Sequence, residues 1–94
     1  MSDQYIVLKQ IALDVSHPPT GNTRHYWGDE LMPQPSGLRI VKYGDAEGFY
    51  LLYLDENGNA MNDTFHDTLE DALEQARFEF NVTPEEWQTV HNNN

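Results

Sequence analysis

The residues Phe49-Tyr50-Leu51-Leu52-Tyr53-Leu54 form an unbroken apolar run, and Asp55-Glu56-Asn57-Gly58-Asn59 follows directly. Six consecutive apolar residues are typical of a strand covered on both faces, because a half-exposed strand alternates apolar and polar side chains. The Asn57-Gly58 pair is a strong signal for a tight hairpin turn. We therefore predict a central strand over 49–54 and an antiparallel partner over 60–66, with Met61 and Phe65 on one face.

Two more strands are predicted upstream of this hairpin. Residues 4–15 are rich in β-branched and aromatic side chains, which favours a strand with a break or bulge near Gln10. Residues 38–43 alternate in the manner of a strand. Between them, 16–37 contains four prolines and three glycines, which exclude a long helix or a central strand. We expect a long loop there, and its Tyr26 and Trp27 are candidates to pack over the sheet or to contact a partner.

A helix is predicted over 68–80, because apolar residues recur there at helical spacing and form one stripe. Asp67 or Thr68 can accept hydrogen bonds from its first turn. The stripe consists of Leu69, Ala72, Leu73, Ala76 and Phe80. Further on, Thr83-Pro84-Glu85-Glu86 has the pattern of a capping box with proline at the first helical position. This pattern predicts a short C-terminal helix that carries Trp87 and Val90.

Together these elements predict an α+β fold in a single domain over 1–90, with 91–94 as a disordered tail. We expect a three- to four-stranded, mainly antiparallel sheet with one helix packed on one face and a short C-terminal helix. The long helix would cover one side of the strand 49–54. Either the loop 16–37 or a second protein chain would cover the other side.

The charge of the chain is strongly segregated. Of its 94 residues, 16 are acidic and 5 are basic, giving a net charge of −11. Residues 1–43 contain equal numbers of acidic and basic residues. Residues 44–94 contain twelve acidic residues and one basic residue, Arg77. Such a field repels phosphate backbones and anionic lipid, and attracts cationic surfaces within about 8 Å at physiological salt. We therefore expect a basic protein partner, and no direct binding to nucleic acid or membrane.

Several functional classes lack their sequence signatures. The chain has no cysteine, which excludes disulfides, thiolate metal sites and a cysteine nucleophile. It has no glycine-rich phosphate loop, and its first residues lack the basic and apolar segments of a signal peptide. We expect a cytoplasmic protein that needs no cofactor and is not an enzyme.

The histidines leave one metal-site alternative. None of the four is spaced from another as in a zinc motif. His17 and His25 share the long loop with Asp29 and Glu30, so a metal site there is conceivable, but packed or solvated histidines are favoured. His66 beside Asp67 could form a general base, yet the sequence places no Ser or Lys nucleophile next to them. We interpret this pair as the end of a strand leading into a helix cap.

Part of the chain resembles a known group of proteins. Four segments carry the resemblance: 49–58, 63–72, 75–80 and 84–87. Residues 48–87 resemble a recurring tail of small acidic bacterial proteins of unassigned function, some of which are similar in size and charge to immunity proteins of polymorphic toxin systems. The resemblance implies a bacterial cytoplasmic protein that acts as a protein-binding inhibitor. It assigns no functional residue.

The favoured interpretation is a non-catalytic acidic protein-binding module, such as an immunity-type inhibitor of a basic toxin or nuclease. Tyr26 and Trp27 would anchor the contact, because apolar anchors surrounded by one sign of charge make a steered interface. The carboxylates expected to bind the partner are Asp55, Glu56, Asp63, Glu70, Asp71 and Glu74.

Three alternatives remain open at this point. The acidic surface could serve solubility alone, in a small homodimeric structural protein whose sheet is buried against a second copy. The protein could also be a nucleic-acid mimic that blocks a DNA-binding protein. An enzyme or metal-binding protein is the least favoured.

Overall fold

The computed structural model describes residues 5–14, 17–18, 20, 26–27, 29–31, 33–44 and 47–90. Its regular elements are seven strands, one α-helix and one 3₁₀ turn. In chain order they are β1 (Tyr5–Ala12), β2 (Tyr26–Trp27), β3 (Glu30–Leu31), β4 (Gly37–Tyr43), β5 (Phe49–Leu54), β6 (Ala60–His66), α1 (Leu69–Phe80), the 3₁₀ turn (Pro84–Glu86) and β7 (Gln88–Thr89).

Five strands form one antiparallel sheet in the order β6-β5-β4-β1-β7. The predicted hairpin over 49–66 is confirmed, with both strands at the predicted bounds. At its turn, the Asp55 carboxylate accepts hydrogen bonds from the backbone N–H groups of Asn57 (2.8 Å) and Asn59 (2.9 Å). Gly58 has a φ of +85°, a conformation that glycine adopts without strain.

The helix α1 packs across one side of the sheet, which we call the helix face. Of the two predicted cap residues, Asp67 and Thr68, Thr68 caps the helix: its side-chain oxygen accepts a hydrogen bond from the backbone N–H of Asp71 at 3.1 Å. Asn81 ends the helix in the left-handed conformation with a φ of 60°. The buried residues of this core are Leu38, Ile40, Leu51, Tyr53, Ala72, Ala76, Phe80, Val82 and Trp87.

The opposite side of the sheet, the far face, has its own smaller core. Val41, Leu52 and Leu54 are buried there, and Val7 and Tyr50 pack against them. The strand β5 is thus covered on both faces, as its unbroken apolar run predicted. These side chains are buried within a single copy of the chain, so their burial requires no second copy.

The C-terminal helix was predicted wrongly. The capping box is present, with the Thr83 N–H donating to the Glu86 carboxylate at 3.1 Å, but only a three-residue 3₁₀ turn follows. Trp87 turns into the core with extended backbone, and the chain continues as β7, which pairs with β1. The free energy gained by burying the large indole of Trp87 exceeds the local preference of this segment for a helix.

Three further predictions need correction. The main sheet has five strands instead of three to four, and β2 and β3 form a separate two-stranded sheet within the segment predicted as loop. The irregularity of β1 falls between Val7 and Lys9 rather than near Gln10. In β6, a register shift places Met61 against the helix-face core, whereas Phe65 pairs with Tyr50 on the far face. A bulge reverses the alternation of side chains, which the sequence does not reveal.

The single described α-helix has 12 residues, so the described part of the chain contains no helix long and apolar enough to span a membrane.

Candidate partner-binding surface

An open cleft of about 500 Å³ lies between the end of β6 and the outer side of α1. We call it the acidic cleft, because three of its lining side chains are carboxylates. The strand end and the residue after it contribute Phe65, His66 and Asp67, and the helix contributes Asp71, Glu74, Gln75 and Phe78.

The phase of α1 positions the helical half of this cleft. Asp71, Glu74, Gln75 and Phe78 are three, four and seven residues apart, so they lie along one side of the helix. Ala72 and the other buried residues of α1 face the sheet. Asp71 also lies in the first turn, where the partial positive charge of the helix end favours a carboxylate.

The charges of the cleft are poorly balanced by cations. Arg77 donates a hydrogen bond from Nε to Oε1 of Glu74 at 3.0 Å, and a second from Nη2 to Oε2. The hydrogen bond from Arg77 lowers the pKa of Glu74, so this carboxylate stays ionised. Asp67 and Asp71 are exposed and have no described cation beside them within the salt-bridge distance of 4.0 Å. The cleft therefore presents net negative charge.

His66 adds little positive charge to the cleft. Burial lowers the pKa of its imidazole, while Asp71, Glu79 and Asp67 oppose that shift. Its Nε2 lies 2.7 Å from Oγ1 of Thr64. Thr64 is not among the described residues that line the cleft.

A buried polar network lies beneath the cleft wall. Glu79 is only 2% exposed, and its Oε2 accepts hydrogen bonds from the Tyr53 hydroxyl and from Nε2 of Gln75, both at 2.5 Å. Burial, followed by the contact with the Glu79 carboxylate, raises the pKa of Tyr53 above its ordinary value. This role of Glu79 was not predicted from the sequence, because a glutamate is rarely fully buried unless it is paired.

Aromatic rings cross the far face from strand to strand and reach the same cleft. We call them the aromatic row, and its members are Tyr5, Tyr43, Tyr50 and Phe65, one from each of β1, β4, β5 and β6. Successive ring centroids are 5.3, 5.2 and 5.2 Å apart in edge-to-face arrangement, which is the favoured geometry for aromatic pairs. The row ends at Phe65, which lies at the sheet edge and is 50% exposed.

Of the carboxylates predicted to bind a partner, the structure brings Asp71 and Glu74 together in the acidic cleft. Glu70 lies one residue before Asp71 and lines a separate depression with Leu73 and Pro84. Asp63 is exposed on β6, two residues before Phe65.

The remaining predicted residues lie elsewhere. Asp55 and Glu56 are in the β5–β6 turn, at the opposite end of β6 from the cleft. The Asp55 carboxylate accepts backbone hydrogen bonds within that turn. Tyr26 is exposed on β2. The backbone of Trp27 belongs to β2, while its side chain lies outside the part of the chain that the structure describes.

The apolar members of the cleft were not predicted from the sequence. Phe78 lies seven residues after Asp71 and four after Glu74, and is 44% exposed. An aromatic residue on the wet side of an amphipathic helix is the signal that could have identified it. Phe65 could not be identified in this way, because its face depends on the bulge in β6.

The candidate metal ligands are not assembled by the described residues. His17 is buried, and its two ring nitrogens each lie 3.2 Å from a carboxylate, of Asp14 and of Glu86. It thereby ties the chain after β1 to the 3₁₀ turn. Asp29 and Glu30 are exposed, and His25 lies outside the described residues. No cluster of three or more metal-binding side chains occurs in the described part of the chain.

Comparison of the chain with protein-family models, with curated proteins and with solved structures gave no match. The resemblance of residues 48–87 to immunity-like proteins therefore stays a prediction.

Proposed function

We propose that the protein is a non-catalytic binding module that holds a basic protein partner in its acidic cleft, as an immunity-type inhibitor of a basic toxin or nuclease would. The observation that carries this proposal is the pairing of two exposed rings, Phe65 and Phe78, with the carboxylates Asp67, Asp71 and Glu74 around one open cleft. Exposed aromatic side chains contribute binding energy at protein interfaces, and surrounding charge of one sign selects a partner of the opposite sign.

The charge of the chain supports a partner that is steered to the cleft. All of the net charge of −11 arises in residues 44–94, the half of the chain that builds β5, β6 and α1. Attraction between such a field and a cationic protein raises the association rate and weakens with salt. A strongly salt-dependent association rate is therefore expected for the partner.

The protein is immobilised, and host lysate is passed over it at low salt. Proteins that bind and are then eluted by high salt are candidates for the partner. The retained protein is purified, and its affinity and association rate are measured over a salt series by surface plasmon resonance. We compare the natural chain with the double variant Asp71→Lys/Glu74→Lys. The matched control is Glu30→Lys/Glu85→Lys, which changes the net charge equally at exposed positions outside the cleft.

We expect the cleft variant to weaken binding by about tenfold or more, and the control to weaken it much less. Both variants should fold normally, because all four side chains are exposed. An equal loss of affinity in the two variants would show that the partner responds to the net charge of the protein and not to the acidic cleft. An association rate that does not change with salt concentration would contradict electrostatic steering of the partner to the cleft. Competition by duplex DNA for the partner would favour the nucleic-acid mimic, and a dimer in sedimentation without any retained protein would favour the homodimer.

A further inference from the structure

The strand β6 is an edge of the five-stranded sheet, and no other described strand pairs with its outer side. Edge strands of natural proteins are commonly protected by charged side chains, most often lysine, by proline or by a bulge, since their free backbone groups can pair with another chain. β6 contains no proline, lysine or arginine, its acidic residue is Asp63, and its register shift lies at the Ala60 end. Residues 63–66 therefore form a regular stretch of edge in continuous register with β5.

The acidic cleft lies directly beside this stretch. Phe65 and His66 belong both to the edge and to the cleft, and α1 forms the opposite wall. A strand added to a sheet lies about 4.8 Å from its neighbour, so its side chains on the helix face would enter the space between β6 and α1. There they would meet Asp67, Asp71 and Glu74.

We propose that residues 63–66 accept an extended cationic segment of the partner as an additional strand, with its basic side chains in the acidic cleft. This inference rests on the proposed function and names the binding mode and the kind of segment recognised. Backbone hydrogen bonds to the edge provide the pairing, and the side chains that alternate along the added strand provide specificity.

The two faces of β6 predict the pattern of the segment. Successive side chains of a strand point to opposite faces, so every second residue of the added strand faces the cleft and should be Lys or Arg. The residues between them lie on the far face beside Phe65, whose ring is half exposed at the end of the aromatic row. An aliphatic or aromatic residue fits there, since cross-strand pairs of apolar side chains stabilise a sheet.

A second copy of the chain is a poor occupant of the same edge. Asp63 is the middle residue of β6, so antiparallel pairing of two β6 strands about their centres would place Asp63 opposite Asp63 of the other copy. Like charges directly opposite each other destabilise a strand pair. A cationic segment from another protein meets no such repulsion, and its basic side chains neutralise the carboxylates of the acidic cleft.

The test uses a short peptide that alternates lysine and valine, with blocked termini. Its matched controls are two versions of the same peptide, one N-methylated on its lysines and the other on its valines; each keeps the charge but removes the N–H groups on one edge. A fourth peptide replaces lysine by glutamate. Binding to the isotope-labelled protein is followed by amide chemical shifts and by hydrogen exchange of residues 63–66.

We expect the lysine peptide to shift and protect the amides of 63–66, and the glutamate peptide to have no effect. At least one of the two N-methylated peptides should bind the protein at least about tenfold more weakly than the unmethylated peptide, because the lost backbone hydrogen bonds are not replaced. Asp71→Lys/Glu74→Lys should weaken binding of the lysine peptide, whereas Glu30→Lys/Glu85→Lys should not.

Two results would overturn the inference, and they are distinguishable from failure of the proposed function. If the lysine peptide leaves the amides of 63–66 unchanged, or if neither N-methylated peptide binds more weakly than the unmethylated one, strand addition is wrong. The proposed function still stands in that case if the purified partner depends on Asp71 and Glu74. If neither the peptide nor any partner depends on these two carboxylates, the acidic cleft is not a binding site and both proposals fail.

Discussion

The hydroxyl of Tyr53 in β5 donates a 2.5 Å hydrogen bond to the carboxylate of Glu79 in α1, and both side chains are buried in the helix-face core. Gln75, one helical turn before Glu79, donates to the same carboxylate oxygen. Directional bonds of this kind select one position of the helix along the sheet, which apolar contacts alone specify less sharply. The position of α1 in turn places Asp71 and Glu74 beside the edge of β6.

Tyr53→Phe should lower the free energy of unfolding by about 1–3 kcal/mol, because it leaves the buried carboxylate of Glu79 without its hydroxyl donor. The loss is measured by urea unfolding. The control is a double-mutant cycle with Glu79→Leu, in which the acceptor is also removed. The double variant should lose less than the sum of the single losses. Additive losses would mean that the short hydrogen bond contributes nothing to stability.

Leu51→Ala and Leu52→Ala test whether both faces of β5 are covered. The two residues are adjacent, point to opposite faces, and are 0% and 3% exposed. Each substitution should therefore destabilise the protein by about 2–5 kcal/mol, the range for a fully buried leucine. Leu73→Ala, on the half-buried side of α1, should cost less. A small effect of Leu52→Ala alone would mean that the far face is open to solvent.

Gly48→Ala should perturb the acidic cleft through Phe65. Gly48 has a φ of +90°, and an added Cβ would lie 2.4 Å from the Phe65 ring. Gly58 is the matched control, because it has a similar φ of +85° but no atom within 4 Å of the added Cβ. Gly58→Ala should cost about 1 kcal/mol of backbone strain, and Gly48→Ala more.

The ring itself provides the second measurement. The aromatic resonances of Phe65 should shift in Gly48→Ala and stay unchanged in Gly58→Ala. Equal destabilisation in both variants, with an unmoved Phe65 ring, would show that the ring does not pack on Gly48.

His66 should titrate below its ordinary pKa, because burial disfavours the imidazolium form. Below about pH 6.5 the unfolded chain then binds more protons at this residue than the folded chain does, so this histidine destabilises the fold as the pH falls. Unfolding free energies at about pH 7 and pH 5 should show a larger loss for the natural chain than for His66→Gln. A larger loss in the variant, or an NMR titration with a raised pKa, would contradict the assignment.

The parts of the fold that were predicted correctly depend on local patterns. The hairpin of β5 and β6 was predictable to its last residue, because an apolar run and Asn57-Gly58 act within a few residues. The inward stripe of α1 follows from helical spacing, and the residue types before it limit the cap to Asp67 or Thr68. Within the cleft, the exposure of Asp71 and Glu74 was predictable for this reason.

The parts that were predicted wrongly depend on distant contacts. Trp87 leaves its expected helix because it fits the core formed by β4, β5 and α1, and β7 exists because β1 offers an edge. The acidic cleft belongs to this second group, since it combines a strand end with a helix side. No spacing in the sequence indicates that Phe65 and Phe78, thirteen positions apart along the chain, line one cleft.

The sequence by itself determined the acidic half of the chain, the strands around the turn at Asn57-Gly58 and the side of α1 that meets water. Charge, turn geometry and side-chain periodicity are local properties, so one stretch of chain is enough to specify them. Only the tertiary structure decided that Glu79 is buried against Tyr53, that Phe65 points to the far face, and that β6 lies at the sheet edge beside α1. These features depend on the bulge in β6 and on the order of the strands, which are set by packing among segments far apart in the chain.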